Sequence, residues 1–167
     1  RENDEIIVLD NTGYEYFSTV TKIDKKSLTI KVNSKSLSQN EPKTNVCLVI
    51  GYLKGDKTEL VVQKAVELGV YEIIPVATKR AVVKLDDKKA AKKVERWQTI
   101  AEGGAKQSGR DVIPEVKQVM SFKEALQYAK SLDVLLVPYE LAEGMAETKE
   151  IISSTFSSLI KKSNPRI

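Results

Sequence analysis

The sequence of 167 residues predicts an α/β protein, with a small antiparallel β unit at the N-terminus and a parallel-sheet domain after it. Two observations support this class. Residues 1–33 contain short apolar and β-branched runs that are separated by turn sequences. After the polar residues 34–44, apolar strands alternate with amphipathic helices, which is typical of a parallel sheet. A hydrophobic content of 41% is enough for a packed core.

The N-terminal unit is predicted to contain three antiparallel strands. Residues 5–9 are a short apolar run, and Asp10-Asn11-Thr12-Gly13 has the composition of a hairpin turn. Residues 14–23 are rich in aromatic and β-branched side chains, and residues 27–32 alternate with period two. Because three strands alone are marginally stable, we expect them to be part of a barrel. Residues 34–44 are interpreted as a linker.

The second part of the chain is predicted to alternate between strands and helices. Strands are predicted at residues 46–52, 71–76, 80–83 and 133–138, and helices at residues 55–68, 88–108, 121–131 and 147–161. Gly69 is placed to end the first helix with a left-handed cap, and Gly109 is expected to close the second helix. Gly103 and Gly104 lie inside the second helix, where each costs roughly 1 kcal/mol relative to Ala. Close helix packing is the expected reason for them.

Composition excludes several kinds of chemistry. The absence of histidine removes Ser-His-Asp and Cys-His machinery, histidine-ligated zinc and imidazole acid–base catalysis. Cys47 is the single cysteine, which excludes an intrachain disulfide, suits a reducing cytoplasm and is expected to be buried. Carboxylates lack metal-ligand spacing, and no apolar run approaches the ~18–20 residues needed to cross a bilayer. We therefore expect no metal and no membrane.

A basic segment is the clearest charge feature. Residues 79–96 contain eight basic and three acidic side chains, whereas the whole chain carries a net charge of +4. Such a segment is typical of a surface that contacts phosphates, although a solvated helix face gives the same pattern. The candidate residues for contacts with a nucleic-acid backbone are Arg80, Lys84, Lys88, Lys89, Lys92, Lys93 and Arg96.

A second candidate site follows the predicted strand at residues 133–138. In open parallel sheets, ligands bind beyond the carboxyl ends of the strands. Pro138, Tyr139 and Glu140 are therefore candidate pocket residues, while the pattern alone also fits an ordinary loop.

An ordered set of short motifs through the middle of the chain carries a family resemblance. In order these are Lys54-Gly55-Asp56-Lys57, Gln63-Lys64-Ala65-Val66-Glu67-Leu68-Gly69-Val70, Ile74-Pro75, Arg80, Glu95-Arg96-Trp97, Ala101-Glu102, Gln107-Ser108-Gly109-Arg110 and Pro114. The set covers roughly residues 4–140 and resembles the ribosomal RNA small subunit methyltransferase E family.

The resemblance implies a fold and a function. Residues 1–44 would be a partial PUA-like β-barrel that binds RNA, with the linker, and residues 45–167 a SPOUT-type α/β methyltransferase domain with a trefoil knot. The implied activity is S-adenosylmethionine-dependent methylation of N3 of a uridine in 16S ribosomal RNA, on the assembled small subunit, by a cytoplasmic homodimer. A Gly-Pro-Glu-Gly-Gly loop and a second knot loop would follow a strand beginning near residue 164. We therefore expect this chain to be truncated before the knot loops, without the segment that closes the knot.

The resemblance also suggests substrate-side residues. Gln107 and Arg110 end the long predicted helix inside the matching stretch, and we expect them to position the uridine, with the guanidinium pointing toward the carboxyl edge of the sheet. Arg110 could instead neutralise carbonyl groups at a helix end. No residue is assigned as a general base. The alternative function is a non-catalytic RNA-binding module with a basic patch.

Overall fold

The N-terminal part of the chain forms an antiparallel sheet. The computed structural model describes residues 1–53, 56–78, 87–138, 145–159 and 162–167. Strands β1 (Glu5–Leu9), β2 (Tyr14–Ile23) and β3 (Leu28–Leu37) lie in the order β1-β2-β3. Asn11 and Gly13 adopt positive φ angles of 65° and 82° in the predicted hairpin turn.

The third strand is longer than predicted. β3 continues to Leu37, which pairs with Tyr14, so the linker does not begin at residue 34. The residues concerned are mostly polar and are exposed on the sheet. Their composition therefore resembles that of a linker, although their backbone groups pair with β2.

The rest of the chain is built around a parallel sheet, as predicted. Its strands are β4 (Cys47–Gly51), β5 (Glu72–Ala77), β6 (Glu115–Val116) and β7 (Met120–Ser121). β5 pairs in parallel with β4 on one side and with both β6 and β7 on the other. The helices are α1 (Lys57–Glu67), α2 (Asp87–Ser108), α3 (Phe122–Ala129) and α4 (Met145–Leu159). Within the described ranges, no helix has the length and apolar character to span a bilayer.

Helices cover both faces of the sheet. Trp97 of α2 and Val66 of α1 are buried in one core cluster together with Ile73 of β5. Ile74 faces the opposite side and packs in a second cluster with Ala125 of α3. Consecutive residues of β5 are therefore both buried, as in a parallel sheet that is covered on both faces.

Glycine allows close contact between α1 and α2. A Cβ added at Gly104 would lie 3.3 Å from the Cγ1 atom of Val66, whereas one at Gly103 would meet nothing within 4 Å. The prediction of close helix packing is thus confirmed for Gly104 and wrong for Gly103. Gly69 has a φ angle of 93°, which confirms the left-handed cap, and Gly109, which closes α2 as predicted, has a φ angle of 66°.

One predicted strand is wrong and one lies outside the described residues. Residues 133–138 form no strand, because Asp133 N–H donates to Arg166 O (2.9 Å) but the following residues have no ladder partner in the described chain. Residues 165–167 instead lie beside β4, where Arg166 forms a parallel bridge with Asn45. The predicted strand at residues 80–83 lies outside the described residues.

Candidate functional site

The carboxyl edge of the parallel sheet is formed by the ends of β4 and β5. These ends lie close together, since a Cβ added at Gly51 would lie 3.2 Å from the Cγ2 atom of Thr78. Pro138 is exposed and follows Val137, which is 74% exposed, so the chain before the candidate pocket is an unburied apolar segment. Tyr139 and Glu140 lie outside the described residues. The three therefore remain predicted pocket residues.

Arg110 is buried in a network that joins three parts of the chain. Its Nη2 atom donates to Glu41 Oε2 (2.5 Å), and its Nε atom lies 3.2 Å from the same oxygen. Its Nη1 atom donates to the carbonyl oxygens of Val70 (2.6 Å) and Val66 (3.3 Å). The Arg110 side chain is only 6% exposed. All its nitrogen atoms therefore have protein partners.

The expected direction of the Arg110 side chain is wrong. Val70 lies two residues before β5, so the guanidinium is at the amino edge of the sheet, opposite the carboxyl edge. The reason is helix direction. A helix that connects parallel strands runs back along them, and its carboxyl end returns to the edge where the next strand begins. The arrangement favours the alternative, in which Arg110 neutralises carbonyls at a helix end, here Val66 of α1.

Gln107 is exposed on the last turn of α2, and Arg110 is buried after the end of the helix. The two side chains therefore do not share one surface. A substrate-side role for either residue stays a prediction.

Glu41 is a functional candidate that the sequence interpretation missed. Besides Arg110, its Oε1 atom accepts hydrogen bonds from the backbone N–H groups of Asp111 (3.0 Å) and Val112 (3.1 Å). The residue lies in the predicted linker, 69 positions from Arg110. A glutamate within a polar segment gives no signal of such a distant partner.

Asp111 is an unusual buried carboxylate beside this network. It is 2% exposed, and neither carboxylate oxygen has a hydrogen-bond partner among the described residues. Burial raises the pKa of Asp111, and the negative charges of Glu15 and Glu41 raise it further.

Only some of the basic side chains of α2 are exposed to solvent. Lys88, Lys89 and Lys92 are exposed on α2. Arg96 is committed to Glu59 of α1 through two contacts, Nε to Oε1 (2.7 Å) and Nη2 to Oε2 (2.8 Å). Lys93 places its ammonium group 5.9 Å from the centre of the Trp97 ring. Arg80 and Lys84 lie outside the described residues.

A second polar cluster lies at the amino edge of the sheet and was also missed. Glu72 at the start of β5 is 3% exposed and accepts hydrogen bonds from Arg166 Nη2 (2.7 Å) and from the Tyr128 hydroxyl. Burial raises the pKa of Tyr128, and its hydrogen bond to Glu72 raises it further. Cys47, beside this cluster, is buried as predicted, and burial raises the pKa of its thiol to about 11. These residues come from separate parts of the chain, so no local sequence motif indicates the cluster.

The described ranges contain no candidate metal centre. No group of three or more His, Cys, Asp or Glu side chains is arranged there to hold a metal ion.

Comparison with known proteins gives consistent matches in two regions. Residues 39–162 match the RNA methyltransferase domain family, and residues 1–33 match the RNA methyltransferase PUA domain family. Ribosomal RNA small subunit methyltransferase E of Bacillus subtilis is 38% identical over 98% of this chain and 63% of its own length.

Solved structures agree with the fold. The crystal structure of a hypothetical protein matches 99% of this chain and 64% of its own, with 35% identity and a TM-score of 0.86. The ribosomal RNA small subunit methyltransferase E of Neisseria gonorrhoeae, bound to S-adenosyl methionine, matches 75% of this chain and 51% of its own, with 32% identity and a TM-score of 0.68. This chain thus spans less than two thirds of the length of each of these relatives.

Proposed function

This chain belongs to the RNA methyltransferase family that includes ribosomal RNA small subunit methyltransferase E, and from that premise we propose that it methylates RNA with S-adenosylmethionine as methyl donor. The observation that carries the proposal is the continuous family match over residues 39–162, directly after a match to the PUA domain of RNA methyltransferases. We also propose that the chain divides into a partial PUA-like unit with the linker, residues 1–44, and a methyltransferase domain, residues 45–167.

The described residues fit the cofactor in one respect. Residues 134–138 form an exposed apolar segment that has no strand partner in the described chain. Apolar side chains suit an adenine ring, because small-molecule sites are predominantly apolar with a few polar contacts. Pro138, Tyr139 and Glu140 would hold the cofactor, which supplies an electrophilic methyl group when bound.

The proposed substrate is N3 of a uridine in 16S ribosomal RNA, within the assembled small subunit. The names of the relatives support a small-subunit ribosomal RNA, and the exposed lysines of α2 support phosphate contacts. Since the chain contains no histidine, alignment of the uracil ring and nearby cations would supply most of the catalysis. Gln107 is retained as a substrate-side candidate, while the contacts of Arg110 support a positioning role.

The proposed form is a cytoplasmic homodimer. The cytoplasm is proposed because the proposed substrate belongs to the ribosome. Ile151, Ile152 and Phe156 of α4 leave apolar surface exposed, which supports helix-mediated dimerisation. Sedimentation at micromolar concentration tests this, and a clean monomer of the full protein would contradict it.

The test is methyl transfer to ribosomal subunits. Small subunits from cells that lack the modification are incubated with the full protein and isotopically labelled S-adenosylmethionine, and the nucleosides are separated by mass spectrometry. We expect labelled 3-methyluridine, with much less on naked 16S RNA than on subunits. Label in a different nucleoside would overturn the N3 assignment. RNA binding without cofactor binding or transfer would favour the alternative, a non-catalytic RNA-binding module.

A further inference from the structure

Few direct contacts hold the N-terminal sheet on the parallel-sheet domain. Among the described elements, β1, β2 and β3 pack mainly on one another. The two units are instead joined through the predicted linker and the first hairpin turn, both of which reach residues 109–113 after α2. The orientation of the sheet therefore depends on a small number of polar groups.

The centre of this junction is the Glu41 carboxylate. It accepts hydrogen bonds from the Arg110 guanidinium and from two consecutive backbone N–H groups, those of Asp111 and Val112. Charge-assisted hydrogen bonds of this kind are short and directional. Because Arg110 is itself held by the carbonyls of Val66 and Val70, the carboxylate is bound to a buried part of the core.

Flanking contacts fix the same segment. Asn40 donates through Nδ2 to Glu15 Oε1 (3.0 Å) and to Gly109 O (3.4 Å), which links β2 to the end of α2. Pro42 lies so close to Gly69 that an added Cβ would come within 2.6 Å of its Cγ atom. In the hairpin turn, Asn11 Oδ1 accepts a hydrogen bond from Ile113 N–H (2.7 Å). Contacts on both sides of the carboxylate leave the linker little freedom to rotate.

We propose that Glu41 and Arg110 form a lock that fixes the RNA-binding sheet relative to the methyltransferase domain, and that both are positioning residues for the RNA substrate. This inference rests on the proposed function, because orientation matters only if both units act on one RNA. Two linked modules bind one target tightly when their geometry allows both to engage at once. Small misplacements of a reacting group lower the rate strongly.

The first measurement is structural and needs no activity. Spin labels are placed on exposed sites through Lys26→Cys in the β2–β3 turn and Lys106→Cys on α2, in full protein diluted with unlabelled chains. We expect a narrow distance distribution that broadens in Glu41→Gln. The matched control is Glu67→Gln, which removes the same charge from a surface pair with Lys64 and should leave the distribution unchanged. No broadening in folded Glu41→Gln would overturn the lock.

The second measurement is kinetic. In Glu41→Gln we expect the KM for small subunits to rise roughly tenfold or more, with little change in the affinity for S-adenosylmethionine. Broadening without any change in kcat/KM would overturn the positioning role. Broadening in a protein that transfers no methyl group, with or without the substitution, would keep the lock and refute the proposed function instead.

A milder variant covers the case in which Glu41→Gln fails to fold. Asn11→Gly removes the side-chain contact to Ile113 but tolerates the positive φ of the turn. We expect it to broaden the same distances by a smaller amount. An unchanged distribution in this folded variant would contradict the inference.

Discussion

Replacement of Arg110 by alanine should lower the free energy of unfolding. We expect this loss of stability, and not a loss of catalysis, to be its main effect. The side chain is 6% exposed and is shared between Glu41 and two backbone carbonyls. The sequence interpretation, in which Arg110 contacts substrate, expects the opposite: nearly normal folding and methyl transfer reduced by roughly 10²-fold. One variant therefore decides between the two.

The size of the loss can be worked from the contacts. Removal of one partner from a buried ion pair costs about 3–5 kcal/mol, because the other charge is left uncompensated. Glu41 keeps two backbone donors and is 23% exposed, so water can partly replace the guanidinium. Val66 O also keeps a hydrogen bond from Gly69 N–H. We therefore expect a loss of about 3 kcal/mol, near the lower end.

Equilibrium denaturation in urea, together with a thermal scan, measures this loss. A cost of about 3 kcal/mol corresponds to a fall in Tm of roughly 6–12 °C for a chain of this size. Arg96→Ala is the matched control, because Arg96 also forms a bidentate pair with a glutamate but its own side chain is 65% exposed. Its effect on the unfolding free energy should be much smaller.

The reasoning fails if Arg110→Ala unfolds like the Arg96→Ala control. If methyl transfer then falls at saturating subunit while S-adenosylmethionine binding is kept, Arg110 acts on the substrate as the sequence suggested.

Three further predictions concern other parts of the chain. Changing Lys88 and Lys92 to Gln should flatten the dependence of log RNA affinity on log salt concentration by up to ~0.7–0.9 for each phosphate that is no longer neutralised. A filter-binding titration measures this slope, and an unchanged slope would mean that the two lysines belong to a solvated helix face. Gly103→Ala should raise the unfolding free energy by up to ~1 kcal/mol, whereas Gly104→Val should lower it by about 1–3 kcal/mol through overpacking against α1; equal effects in denaturation would contradict the packing described. Asp111→Asn should raise Tm at pH 7–8, because folding raises the pKa of this carboxyl group and its ionisation above that pKa therefore costs stability. The gain in Tm should shrink as the pH falls towards about 4. A gain in Tm that grows on acidification would contradict the raised pKa of Asp111.

The helices and strands that could be predicted are those whose own residues carry the pattern, such as helical spacing of buried side chains. Trp97, Ala101 and Ala105 recur at helical spacing on the buried face of α2, and Gly109 marks its end. β5 is a short apolar run with buried neighbours on both faces. The alternation of such elements was enough for the fold class.

The features that were missed depend on distant partners. β6 and β7 are two residues each and exist only because β5 offers them backbone groups. Glu41 has no local pattern that distinguishes it from other linker carboxylates. The direction of Arg110 was missed because the sequence places it at the end of a helix, whereas the edge of the sheet to which that end returns depends on the tertiary fold.

The bridge between Asn45 and Arg166 has a consequence for biosynthesis. Residues 165–167 hydrogen-bond to the edge of β4, yet Arg166 and Cys47 are 119 residues apart in sequence. At a synthesis rate of about 5–20 residues per second, the ribosome makes the partner of this edge roughly 6–24 s after the edge itself. During that interval this edge of β4 lacks the partner that the described residues give it, and an open strand edge is a template for aggregation. Nascent chains should therefore need chaperone protection of β4 until residue 167 has left the ribosomal tunnel.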